Sequence, residues 1–335
     1  APIPGYNGAG VGGYPTAPPP GYAPQGYNPP YPPNPYSAQP YPPAAYPQAP
    51  IPQPVVPAYG MAPVAQPIYP PGQGVDMDCQ ILHAAMKGAG TDENAIINVV
   101  CSRNAMQRAE IRRRYISLYG KDLIKKLKDE LSGNFEDTCV GLFMTPPEYD
   151  AYCLYKAMKG IGTNEGVLIE ILGTRNNQEI QMIKAEFLKN YGKPLEKWIT
   201  SETSGHLRKL LVSIIQCNRS MNPVPDPIMC QSDAQALYHA GEGRWGTDET
   251  TFTQIFTTRS PAEIATIAQF YKQMAGIDLY ESLKKEFSGN TETLLKAIFY
   301  ASVNMPEWFA TRVRDAIEGA GTKDKQLIRI IVSRC

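Results

Sequence analysis

Four segments of this chain repeat one another at fixed internal offsets, and such a repeat constrains the fold before any single helix is assigned. They read Met86-Lys87-Gly88-Ala89-Gly90-Thr91-Asp92-Glu93, Met158-Lys159-Gly160-Ile161-Gly162-Thr163-Asn164-Glu165, Gly243-Arg244-Trp245-Gly246-Thr247-Asp248-Glu249 and Ile317-Glu318-Gly319-Ala320-Gly321-Thr322-Lys323-Asp324. Counted from the last Gly of each, an Arg follows 13 positions on in every copy: Arg103, Arg175, Arg259 and Arg334. In the first three copies a Gly recurs at 30 (Gly120, Gly192, Gly276), a Glu at 40 (Glu130, Glu202, Glu286) and Ser-Gly at 42 and 43. The copies start 72, 84 and 75 residues apart, which leaves room for several short helices in each unit.

The first unit shows the expected local pattern. Thr91 is placed to N-cap a helix carrying Ile96, Ile97, Val99 and Val100, with Asp92 and Glu93 near its positive end. A longer helix over Ala105 to Tyr119 puts Ile111, Tyr115 and Leu118 on one stripe and ends at Gly120. Leu123, Ile124, Leu127 and Leu131 mark another helix, and Val140, Leu142 and Phe143 lie on a last one before Pro146. With the stretch before Met86 this gives five helices per unit and no convincing strand, so the class is all-α.

Residues 1–74 belong to a different physical class. They contain no Lys, Arg, Asp or Glu and repeat Pro, Gly, Tyr, Gln and Ala, a composition that cannot bury a core. Disorder with a polyproline-II bias is expected there. The 32 basic and 32 acidic side chains all fall after residue 74 and cancel, a poor balance for attracting nucleic acid or an acidic membrane unaided. Seven cysteines without metal-binding spacing read as reduced thiols, and the absence of a leader or a long apolar run points to a cytoplasmic protein whose membrane contact is peripheral.

The chemistry centres on the glycine turns. A Gly-x-Gly-Thr turn between helices can direct main-chain carbonyls into one concavity, and carbonyl oxygens at irregular geometry suit calcium better than magnesium. The carboxylate 40 residues on supplies the missing negative charge. Such a site uses about five protein oxygens of the six to eight that calcium prefers, leaving room for water or a lipid phosphate. The plain alternative is that each turn is only a helix C-cap followed by an N-cap. The sequence shows neither a P-loop nor an EF-hand, and His83, His206 and His239 lie near apolar helix residues rather than in a catalytic constellation.

These residues resemble the annexin family over essentially all of 75–335, on the two Met-Lys-Gly-x-Gly-Thr loops, the segment Gly241 to Glu249 and the run Leu327-Ile328-Arg329-Ile330-Ile331-Val332-Ser333-Arg334. The tail is similar to that of synexin-type annexins. The resemblance implies four repeats of about five helices each in a curved disc, the fourth incomplete, after a disordered tail: tail 1–74, repeats at 75–147, 148–222 and 223–306, and a partial repeat at 307–335. It implies calcium held by Met86, Gly88, Gly90 and Glu130, by Met158, Gly160, Gly162 and Glu202, and by Gly241, Arg244, Gly246 and Glu286, with Thr91 and Glu93 at an accessory site. The fourth carboxylate would fall past Cys335, so no complete fourth site is expected in this stretch.

The resemblance further implies that Trp245 either reaches a membrane interface or anchors its loop in the protein. Charges matching a polar channel fall at Asp150, Glu170, Arg175 and Arg329, with ion pairing between units two and four as their simple explanation. The expected function is calcium-dependent binding and bridging of acidic phospholipid membranes, without enzymatic activity. A calcium-independent helical scaffold is the alternative. Pro40 to Pro47 resembles Pro/Tyr segments that penta-EF-hand calcium proteins recognise, while a flexible spacer or a self-associating stretch remain open for the tail.

Overall fold

The structure, a computed structural model, describes residues 74–334. The expectation of a disordered tail falls on residues outside these. Among the described residues the chain forms 17 α-helices and no strand, as the all-α reading requires. Five helices follow the first repeat: α1 (Val75–Ala85), α2 (Glu93–Cys101), α3 (Ala105–Tyr119), α4 (Leu123–Glu130) and α5 (Gly133–Phe143). Five follow the second: α6 (Pro146–Met158), α7 (Glu165–Leu172), α8 (Asn177–Tyr191), α9 (Leu195–Glu202) and α10 (Gly205–Ile215). The third gives α11 (Pro227–Ala240), α12 (Glu249–Thr258), α13 (Pro261–Ala275), α14 (Leu279–Glu286) and α15 (Gly289–Val303). Two more, α16 (Met305–Ile317) and α17 (Asp324–Arg334), close the described stretch.

The repeated offsets have local causes. The third helix of each unit starts with a reciprocal capping box, Asn104 with Gln107, Asn176 with Glu179 and Ser260 with Glu263, which satisfies two otherwise orphaned N–H groups. Each of these helices stops at a left-handed glycine, Gly120, Gly192 or Gly276, which accounts for the Gly at offset 30. The Arg at offset 13 is a partner for the first helix, buried at Arg103 and Arg175, half-buried at Arg259 and exposed at Arg334. Arg103 binds Asp78 at 2.7 and 2.9 Å, Arg175 binds Asp150 at 2.7 and 2.9 Å, and Arg259 binds Asp233. In the last unit Phe309 takes the Asp position, and Arg334 lies over its ring with 3.9 Å to the centroid.

Two expectations need correction. Asp92, not Thr91, caps α2, accepting from the Ala95 N–H at 3.0 Å, because the Thr91 hydroxyl is engaged elsewhere. Leu118 is 39% exposed, since the last turn of α3 runs past the core edge and Tyr119 turns inward there to stack on His83 at 4.0 Å.

The apolar core divides in two. One cluster lies within the first five helices, from Cys79 to Phe143, and the other runs through the second and third sets and takes in Trp308, Phe309 and Ile330. Polar contacts join the first set to the rest: Arg112 pairs with Glu148, Asn134 donates to Asp324 at 2.7 Å, and Lys325 pairs with Asp137. Of the four charges assigned to a channel, Arg329 binds Glu170 at 2.8 Å through both Nε and Nη2, linking units four and two, whereas Asp150 and Arg175 pair inside unit two.

Burial sorts the thiols. It pushes the Cys79, Cys139 and Cys153 thiols up to about 12, while Cys101 is exposed. A thiol reagent at pH 8 is therefore expected to modify Cys101 before the other described cysteines, as read by peptide mapping. Equally fast labelling of Cys79 or Cys139 in the folded chain would contradict this packing.

Candidate functional site

Each Gly-x-Gly-Thr loop is pinched shut by one main-chain bond spanning it. Asp92 N–H donates to the Ala85 carbonyl at 2.9 Å, Asn164 to Ala157 at 2.9 Å, Asp248 to Ala240 at 2.7 Å and Lys323 to Ala316 at 2.8 Å. The enclosed backbone must turn through positive φ, at 103° and 91° for Gly88 and Gly90 and at 123° and 81° for Gly160 and Gly162. Glycine takes these angles without steric cost, and the sequence places it at both positions in the first, second and fourth copies, whereas unit three has positive φ only at Gly246 and carries Arg244 at the earlier position. Among the described residues, no main-chain hydrogen bond ends on the carbonyls of Met86, Gly88, Gly90, Met158, Gly160, Gly162, Arg244 or Gly246. Gly241 differs, its carbonyl accepting from Arg244 N–H at 2.9 Å. A carbonyl has two lone pairs, so it keeps one for a further partner.

A distant carboxylate is tied to each loop by the loop threonine. Thr91 Oγ donates to the Glu130 carboxylate at 3.2 Å, Thr163 Oγ to Glu202 at 3.1 Å, and Thr247 Oγ to Glu286. The same hydroxyls lie 3.1 to 3.5 Å from the main-chain carbonyls of those glutamates. In unit three the approach is closest: a Cβ at Gly241 would stand 2.9 Å from the Glu286 carboxyl carbon, so the position admits only glycine while that side chain stays in place. Structure therefore brings together loop and acid in all three units. Glu93, in contrast, sits exposed in the first turn of α2 and, among the described residues, makes no hydrogen bond to Thr91 or Glu130.

Where these acids sit is informative. Glu130, Glu202 and Glu286 are the last residues of α4, α9 and α14. A carboxylate at a helix C-terminus faces the negative end of the dipole and is locally unfavourable by about 0.3–1 kcal/mol. Lys126 relieves this in unit one, and its ammonium beside Glu130 holds that carboxyl below its usual range. Breaking a local rule three times at one offset is the pattern expected of a functional site. Free loop carbonyls beside one carboxylate are hard oxygen donors of irregular geometry, a donor set that fits calcium. Among the described residues no cluster of three or more His, Cys, Asp or Glu offers an alternative metal site.

The loop tips differ from unit to unit. Ile161 and Trp245 are fully exposed, so Trp245 is not a buried anchor. Among the described residues no helix is long and apolar enough to cross a membrane. Of the histidines, His83 sits 3.2 Å from the Tyr115 hydroxyl, His206 lies at the surface 3.4 Å from Glu249, and His239 packs edge-on to Tyr238.

The family model for annexin matches residues 77–142, 149–214 and 232–298, one stretch in each of the three complete five-helix sets. The chain belongs to the annexin family. It is 51% identical to annexin A7 of Homo sapiens over 257 residues, 77% of this chain and 53% of that protein, and so spans about half the length of the annexin A7 relatives it matches. Among solved structures, annexin III superposes with a TM-score of 0.76 at 40% identity, covering 79% of this chain and 82% of the other. Calcium-bound annexin (Sm)1 superposes with a TM-score of 0.68 at 32% identity and covers 78% of each chain.

Two features of this annexin escaped sequence reasoning. The threonine clamp was hidden because Thr reads first as an N-cap, although Thr91, Thr163, Thr247 and Thr322 recur at one offset. The Asp partners of the Arg at offset 13 stand 12 positions before Gly90 and Gly162 and 13 before Gly246, a shift set by the one extra loop residue of unit three.

Proposed function

We propose that this annexin binds acidic phospholipid membranes reversibly through three calcium sites, at Met86, Gly88, Gly90 and Glu130, at Met158, Gly160, Gly162 and Glu202, and at Gly241, Arg244, Gly246 and Glu286. The observation that carries the reading is the threonine-clamped carboxylate against a carbonyl-rich loop, present in all three units. When bound, calcium supplies the positive charge that a neutral chain lacks and an open position for a lipid phosphate oxygen. The chain's own residues do the rest: glycines shape the loop, threonine orients the acid, and the acid gives the charge. A calcium-bound relative, annexin (Sm)1, supports the choice of ion. Thr91 and Glu93 are a weaker accessory site in this reading, though the Thr91 hydroxyl already serves Glu130.

Sedimentation with phosphatidylserine vesicles tests the proposal: the chain pellets with calcium and returns to the supernatant with chelator. Pelleting that ignores chelator would favour the alternative, a calcium-independent helical scaffold. In the calcium-dependent reading the chain acts at the cytoplasmic face as a peripheral binder when calcium rises, and we assign it no catalytic role.

Trp245, exposed at its loop tip, enters the headgroup region in this account. In a Trp198→Phe, Trp308→Phe background, its emission is expected to shift blue when calcium and vesicles are both present. Those replacements are mild, since both indole N–H groups are buried without a hydrogen-bond partner among the described residues. An unchanged spectrum would remove Trp245 from the interface.

Membrane bridging and roles for residues 1–74 extend the proposal on sequence grounds alone. The segment lacks charge and has no electrostatic route to an acidic membrane. Deleting it is expected to spare calcium-dependent vesicle binding while reducing vesicle clustering, self-association or capture of penta-EF-hand calcium proteins. Equal clustering by both forms, with no partner captured, would leave it a spacer.

A further inference from the structure

Beside the second and fourth glycine loops, a cavity of about 450 Å³ opens between α5, α7, α16 and α17. Its volume falls within the roughly 300–1,000 Å³ of small-molecule sites. The lining carries four cations, Arg312, Lys323, Lys325 and Arg329, against two anions, Glu170 and Asp324. Three amides, Asn134, Asn164 and Gln326, complete the polar wall with Gly166.

Those cations are not equally committed. Arg329 is locked by its two-pronged pair with Glu170. Lys325 reaches out to Asp137, an exposed pair that a competing anion can displace, while Arg312 is half-buried, pairs with Asp315 and lies over the Trp308 ring at 4.9 Å. Lys323 makes no ion pair among the described residues, and the buried Nε of Arg312 has no hydrogen-bond partner there. A buried donor without an acceptor is costly unless a ligand satisfies it.

Backbone adds to this field. Three helices present their N-terminal ends to the cavity: α5 through Asn134, α7 through Asn164 and Gly166, and α17 through Lys323 and Asp324. N-termini carry partial positive charge and free N–H groups, the arrangement that binds phosphate elsewhere. Convergence of three such ends with four cationic side chains is more than any one of them offers.

We propose that this cavity binds a compact, soluble, phosphate-bearing polyanion, independently of calcium. Lys323 and Arg312 supply the charge the ligand meets first, and the N-terminal ends of α7 and α17 hold its oxygens. The cavity adjoins the second glycine loop through Asn164, but its lining includes none of the carbonyls and carboxylates assigned to calcium, so it can be occupied when those are not.

Calorimetry of the full chain with inorganic pyrophosphate, in calcium-free buffer of moderate salt, tests it. One saturable site per chain is expected. Lys323→Gln should weaken it about tenfold. So should Asn164→Asp, which keeps a good N-cap for α7 while placing a negative charge in the wall. Lys197→Gln, an exposed lysine on α9, should leave affinity unchanged. No saturable binding, or an equal loss in all three variants, would overturn the proposal. Calcium-free binding to phosphatidic acid vesicles that is lost in Lys323→Gln, without pyrophosphate binding, would assign the cavity to a lipid headgroup and also overturn it.

Discussion

Replacing Glu130, Glu202 and Glu286 together by Gln is expected to raise the calcium needed for half-maximal binding to phosphatidylserine vesicles by more than about 100-fold. Each Gln keeps the shape of the side chain and an oxygen that the loop threonine can still reach. Each removes the single formal charge of its site, because the loop carbonyls carry none. A loss of about tenfold per site corresponds to about 1.4 kcal/mol, and the three sites act on one membrane surface. The folded state should change little. Glu202 and Glu286 end α9 and α14 at the negative pole of each helix, so neutralising them in calcium-free buffer leaves stability unchanged or raises it slightly, while Glu130→Gln gives up the partly exposed Lys126 pair at a small cost. Vesicle sedimentation across a calcium titration, with urea unfolding of the apo form, reads both effects. An unchanged calcium midpoint in the triple variant would show that the ligands are elsewhere.

Arg175→Met is expected to destabilise the core by about 3–5 kcal/mol, a large share of the stability of a typical domain. Asp150 is 4% exposed and bonded to Arg175 through both oxygens, so the substitution leaves a buried carboxylate without its cation. The cost comes from the abandoned charge more than from the lost attraction. Asp150→Leu combined with Arg175→Met should therefore recover most of the loss, since well-packed apolar residues often replace a buried ion pair without penalty. Urea unfolding midpoints of the single and double variants separate the two contributions. A single variant within about 1 kcal/mol of the parent would mean that solvent reaches Asp150 in the folded chain.

Much of this was legible in the residues. The glycines at the loops are required by positive φ, the capping boxes and terminal glycines set the ends of the third helices, and apolar spacing assigns the helices of the first unit, which the repeat carries to the others. Those are local constraints, and a local constraint leaves its mark at short sequence range. Leu118 shows the limit, because periodicity places it on the buried stripe, while the length of the core decides that α3 outruns it.

The sequence by itself determined the repeat, the all-α class, the loop positions and the acids at offset 40. Only the tertiary structure decided which groups meet across long separations. It gave Thr91, Thr163 and Thr247 to the carboxylates 39 residues on rather than to their own helices, and paired Arg103, Arg175 and Arg259 with Asp residues on the first helices. It also brought Arg329 to Glu170 across 159 residues. The reason is physical: a hydroxyl or a guanidinium satisfies several partners equally well in isolation, and packing of the helices fixes which one lies within hydrogen-bond reach.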